Sequence, residues 1–157
     1  MDLLEGGIRV PTIVRWPARV NPGGVSAQHA VTMDWVATFL DVAGIPCDSN
    51  YPLDGISLAK NLKNPGQISK RDLFWKMLFR NQKAMRSGDW KYLSVEGNEF
   101  LFNLSRDERE RANFARRRPE IFEAMKAKYL AWEGSLPSYP DASYSVIGSP
   151  AELAHPA

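Results

Sequence analysis

Few side chains in this chain could do covalent or metal chemistry, and most are poorly placed for it. The single cysteine, Cys47, lies in the Pro-flanked polar stretch Ile45-Pro46-Cys47-Asp48-Ser49 and reads as a small loop or partly buried thiol. With one cysteine there is no internal disulfide, and the redox compartment stays undetermined. A general base must be held within hydrogen-bond reach of its target. The two histidines, His29 and His155, lie far apart in loop or tail sequence and read as solvated or capping groups. Asp and Glu do not recur at metal-ligand spacing, so no metal site can be assigned from them. The richest segment runs from Lys70 to Lys91, where seven basic residues face two acidic ones among Phe74, Trp75, Phe79, Trp90 and Tyr92. Such a surface could attract a sulfated or otherwise anionic ligand and stack a sugar or aryl ring. The same pattern also suits aromatics in a core and cations on a solvated face, and both readings stay open. A second basic cluster, Arg106, Arg109, Arg111 and Arg116 to Arg118, is interrupted by Asp107, Glu108 and Glu110, and so reads as a solvated loop rather than a nucleic-acid surface.

The elements that must position these groups follow from periodicity. Ile8 to Trp16 is an apolar run stopped by Pro17 and reads as a strand buried on both faces, with Arg9 needing a carboxylate partner. Asn21 to Gly24 is a turn. Thr32 then starts a helix with Trp35, Val36, Phe39, Leu40 and Ala43 on one face and Gly44 at its end. Residues 45–56 form a loop, and Ser57 caps a short helix. Strands are expected at Leu73–Phe79, Lys83–Arg86, Trp90–Val95 and Phe100–Leu104, with Ser87-Gly88-Asp89 and Glu96-Gly97-Asn98 as hairpin turns. Pro119 suits the first turn of a helix whose Phe122, Met125, Tyr129 and Trp132 would cover that sheet. Beyond Leu136 periodicity vanishes, and an extended or disordered tail is expected. At 157 residues, 44% hydrophobic and 24% charged, the chain is long enough for a sizeable core, and its net charge of +2 gives no support to a nucleic-acid or membrane-surface role. No stretch reaches the roughly 18 apolar residues of a membrane span, and the N-terminus lacks the pattern of a signal peptide.

Five motifs in order give the chain a family resemblance. Glu5-Gly6-Gly7-Ile8-Arg9-Val10-Pro11, Asp34 to Gly44 with Leu53-Asp54-Gly55-Ile56-Ser57-Leu58, Leu73-Phe74-Trp75, Ala84-Met85-Arg86-Ser87-Gly88-Asp89-Trp90-Lys91 and Phe100 to Asp107 together resemble the last third of the sulfatases, alkaline-phosphatase-like hydrolases of sulfate esters. The resemblance spans residues 3–133. It implies an α/β fold, α+β as an isolated piece. One strand of the large sulfatase sheet and linking helices over residues 1–66 would precede a small four-stranded antiparallel sheet and C-terminal helix over 67–135, with 136–157 as tail. It also implies a formylglycine nucleophile made in Cys/Ser-x-Pro-x-Arg, a calcium ion and a sulfate-ester substrate. Cys47 does not fit that nucleophile motif, so the chain alone is expected to be inactive. A catalytic Lys of the family falls five residues before the Glu of Glu-Gly-Gly, one position before Met1. What remains is the pocket rim, for which Trp75, Lys76, Arg80 and Lys83 are the candidate substrate-binding residues. A periplasmic or extracellular site would follow for a bacterial sulfatase. The alternative is a stand-alone, non-catalytic module that binds anionic glycans or a partner protein.

Overall fold

A computed structural model of the chain describes residues 2–138; the expected tail beyond that point, with His155, lies outside the described residues. Contacts gather the described residues into two units, residues 2–11 with 71–138 and residues 12–70.

The first unit is built on an antiparallel meander of β1 (Asp72–Met77), β2 (Gln82–Ser87), β3 (Trp90–Val95) and β4 (Asn98–Asn103), in that spatial order. All four expected strands are present, each within two or three residues of its expected ends. Gly88 and Gly97 take left-handed backbone at the two tight turns, at φ 56° and 82°, which is why glycine stands there. Alternation splits the side chains between two faces. Phe74, Met85, Tyr92 and Leu101 meet α4 (Pro119–Ser135), whose Met125 and Tyr129 are buried and whose Trp132 stacks on Phe74 at 5.0 Å. Trp75, Ala84, Leu93 and Phe102 form the opposite face, covered by Leu3 and by Ile8 of the one-turn helix α1 (Glu5–Ile8). Pro119 opens α4 as expected, because a first-turn amide needs no intrahelical partner.

Four ion pairs fasten α4 to the sheet: Glu133 with Lys76 and Lys83 at 2.9 and 2.8 Å, Lys126 with Glu99 at 2.7 Å, and Lys128 with Asp72 at 2.8 Å. Burial pushes the Glu133, Glu99 and Asp72 carboxyls up, but the hydrogen bonds from their lysines, joined by Tyr92 at Glu99 and Ser87 at Asp72, outweigh it. All three are held below the ordinary carboxylate range.

The second unit holds α2 (Met33–Ala43) and α3 (Ala59–Lys63). Gly44 closes α2 in left-handed backbone, as its position suggested. Asp34, wholly buried, accepts the amides of Val31 at 2.7 Å and Ile56 at 3.0 Å, and the Thr38 hydroxyl accepts Leu58 N–H at 2.9 Å. The Asp54-Gly55-Ile56-Ser57-Leu58 segment is thereby hooked to α2, and it runs so close that a Cβ on Gly55 would overlap the Met33 carbonyl.

Two local expectations are corrected here. Residues 9–16 pair with no strand; every ladder among the described residues belongs to β1–β4, and Val10 and Ile13 are 74% and 95% exposed. An apolar run becomes a strand only where a neighbouring edge takes its backbone hydrogen bonds. On α2 the buried side is Asp34, Ala37 and Thr38, while Val36 and Phe39 of the expected inner face are 55% and 65% exposed. Polar hooks rather than apolar mass choose the buried face. A smaller shift concerns Ser57, which precedes α3 by two residues and accepts the Ala59 amide at 3.2 Å.

Candidate functional site

The strongest concentration of buried charge joins two of the sequence motifs. Lys91 of Gly88-Asp89-Trp90-Lys91 is fully buried, and its Nζ lies 3.0 Å from Glu5 Oε1 and 2.8 Å from Glu110 Oε1. The Arg86 guanidinium sits 3.2 Å from Glu5 Oε2, and the Glu5 amide donates to Glu110 Oε2 at 2.6 Å. Strand alternation aims Lys91 and Arg86 at the same face as Leu93 and Ala84. Helix α1 presents Glu5, and Glu110 reaches in from a residue with left-handed backbone at φ 55°. Two carboxylates and two cations make the cluster neutral, the condition under which buried charge is tolerated. Gly7 completes the cradle, since a Cβ there would overlap the Asp2 carbonyl. Arg9, the cation of the apolar run, meets Glu108 at 3.2 Å on the surface. The chemistry available to this cluster is orientation: it fixes the Glu5-Gly6-Gly7 segment on the sheet.

The four candidate rim residues do not converge on one point. Lys76 and Lys83 come together on the α4 face, where both pair with Glu133, and Lys83 also lies 6.0 Å from the Tyr129 ring centre. Trp75 points to the opposite face, packed against the cluster of Leu3, Ala84, Leu93 and Phe102. Arg80 stands at the sheet end, in the connection between β1 and β2, with left-handed backbone at φ 58° followed by Asn81 at φ 44°. Its guanidinium grips the Glu96 carboxylate with two bonds of 3.1 and 3.2 Å, and its carbonyl accepts Glu96 N–H at 3.0 Å. This fork clamps the β1–β2 and β3–β4 connections together and holds the Glu96 carboxyl below its ordinary range. Phe79, 47% exposed, stands beside it. Sequence reasoning missed Glu133 and Glu96 as partners of these cations, and missed Glu5, Lys91 and Glu110 as one site. Only the period-2 placement of Lys91 beside Leu93 could have signalled an inward-facing lysine.

Calcium, implied by the resemblance, does not fit these residues. Among the described residues no three His, Cys, Asp or Glu side chains come together at ligand spacing, and the carboxylates of Glu5 and Glu110 already enclose Lys91. Cys47 is exposed. Asp107 caps its own loop by accepting the Arg111 and Ala112 amides at 2.7 and 2.8 Å, and no helix is long and apolar enough to cross a membrane among the described residues.

Comparison with known proteins gives these motifs a family. The family model described as N-sulphoglucosamine sulphohydrolase, C-terminal, matches residues 2–128. A sulfatase of Formosa agariphila is 30% identical over 82% of this chain and 27% of its own length, and human arylsulfatase A is 28% identical over 80% and 31%. A Bacteroides thetaiotaomicron protein from the metabolism of multiple glycosaminoglycans superposes with TM-score 0.69 at 25% identity, over 83% of this chain and 30% of that one. A protein solved in complex with its substrate D-glucosamine-2-N,6-O-disulfate superposes with TM-score 0.63 at 20% identity, over 80% and 29%, and shares the fold. The chain therefore spans between 27% and 31% of these relatives. With the match running through Glu5 and Lys91 and into the first turns of α4, the chain belongs to the sulfatases, in the family of their C-terminal region.

Proposed function

We propose that this chain serves as the C-terminal scaffold of a calcium-dependent sulfuric ester hydrolase acting on sulfated carbohydrates or aryl sulfates, with nucleophile and calcium held by residues other than its own. The observation that carries the reading is the buried Lys91 bridge, which ties the Glu-Gly-Gly motif to the small sheet. In the sulfatases a substrate-reaching lysine precedes that motif, so a rigid anchor at Glu5 would set where such a lysine points. On this reading residues 1–66 finish the large domain and 67–135 form the small one. The exposed ridge of Met33, Val36 and Phe39 on α2, with Ile13 and Val25, is the apolar surface that the rest of a sulfatase would cover. On this reading Arg80 would shape access from the sheet end, Trp75 would back it from the opposite face of β1, and Lys76 and Lys83 would set the local potential through Glu133.

The reading is tested by a chimera in which residues 2–138 replace the homologous region of the Formosa agariphila sulfatase. Hydrolysis of an aryl sulfate by the chimera, with KM raised by Arg80→Ser, is the expected result. A folded chimera without turnover overturns the reading.

A further inference from the structure

The cations of the sheet unit are mostly matched to carboxylates, and the second unit presents the opposite case. The turn from Trp16 to Val20, closed by the Arg19 and Val20 amides donating to the Trp16 carbonyl at 3.0 and 2.8 Å, brings Trp16 and Arg19 to one cleft. Lys60 and Lys63, three apart on α3, line the same cleft, whose volume is about 270 Å³. None of these three cations is ion-paired among the described residues. Asp41 is the one acidic side chain of the lining, and it is engaged as acceptor of the Ser57 hydroxyl. Three cations and one carboxylate leave the cleft with an excess of two positive charges beside a half-buried indole.

We infer that this cleft, lined by Trp16, Arg19, Lys60 and Lys63, is a binding site for a sulfated saccharide, separate from the hairpin-end rim proposed above. Its volume falls just below the usual range of small-molecule sites, about 300–1,000 Å³, so the cleft would seat part of a saccharide and leave the rest in solvent. The indole offers a flat apolar face to a pyranose ring. Arg19 supplies a planar fork for the oxygens of one sulfate group, and the two lysines supply point charges for another. Inorganic phosphate or sulfate would meet the cations alone and leave the indole unused. A saccharide with two or more sulfate groups uses all four side chains.

The experiment titrates the full chain with a trisulfated heparin disaccharide at low salt, following the tryptophan indole N–H signals by NMR. The Trp16 signal is assigned as the one lost in Trp16→Leu. We expect that signal to move saturably with the sulfated disaccharide and not with its unsulfated counterpart. Lys60→Gln/Lys63→Gln should weaken binding about tenfold, at about threefold per exposed charge. Trp16→Leu should weaken the disaccharide about fivefold while leaving inorganic sulfate within twofold. An unmoved Trp16 signal overturns the assignment, as does a double lysine variant that binds within twofold of the parent. Inorganic sulfate or phosphate binding as tightly as the disaccharide overturns the saccharide class. Binding that moves the Trp75 signal and is lost in Arg80→Ser belongs to the rim and overturns this site, whereas a failed chimera leaves it standing.

Discussion

Replacing Lys91 with Met is the most telling single perturbation, because the side chain keeps its length and loses only its charge. In the parent its Nζ sits 3.0 Å from Glu5 and 2.8 Å from Glu110, with no exposure to water. Removing it leaves Glu110 without its cation and Glu5 with Arg86 alone, at 3.2 Å. Breaking a buried pair by deleting one partner costs about 3–5 kcal/mol. The remaining Arg86 contact puts the expectation at the lower end, about 3 kcal/mol. For a domain of ordinary stability, about 5–15 kcal/mol, that is a fifth to more than half of the total. With a urea slope of about 2 kcal/mol/M the unfolding midpoint drops by about 1.5 M. Far-ultraviolet circular dichroism and tryptophan fluorescence should report the same shift. Adding Glu110→Gln to Lys91→Met should recover at least about 1 kcal/mol, since the orphaned carboxylate is then gone. A loss below about 1 kcal/mol in Lys91→Met, with the slope unchanged, would refute the claim that this cluster anchors Glu5-Gly6-Gly7.

Further outcomes follow from the same packing. The folded carboxyls of Glu133, Glu99 and Asp72 lie below their unfolded values, so the unfolded chain binds more protons in that range. Their contribution is present above the ordinary carboxylate pKa of about 4 and is lost as pH falls through the depressed values, and Glu133→Gln should flatten that acid limb in urea titrations between pH 2 and 5. Gly55→Ala forces a Cβ into the Met33 carbonyl and should cost about 2–3 kcal/mol by thermal unfolding, against under about 0.5 for Gly66→Ala, which meets open space. Val36→Ser/Phe39→Ser removes two exposed apolar side chains of α2 and should lower apolar-dye binding and light scattering without lowering the melting temperature; an unchanged dye signal would count against an open docking ridge.

What the sequence disclosed divides along contact range. The four strands and the two Gly turns were readable because period-2 alternation and left-handed turn residues are local signals. The α4 stripe of Phe122, Met125, Tyr129 and Trp132 was readable for the same reason, at helical spacing. Residues 9–16 misled because their apolar composition describes what a strand would bury, while the hydrogen bonds that make a strand come from a neighbour elsewhere. On α2 the deciding contacts are Asp34 to Ile56 and Thr38 to Leu58, about twenty residues away, and no amphipathic pattern reports them. Glu5 and Lys91 are 86 residues apart, so neither motif alone announces the pair. The cations of the candidate rim looked available because their partners, Glu133 and Glu96, lie on elements whose placement is tertiary.

On the proposed function this chain supplies scaffold and charge rather than the reacting groups. Incubating the purified chain with a chromogenic aryl sulfate and calcium tests that most directly. No product above a heat-treated control is expected, since loss of a nucleophile removes many powers of ten in rate. Sustained turnover that survives repurification and scales with chain concentration would contradict the proposal.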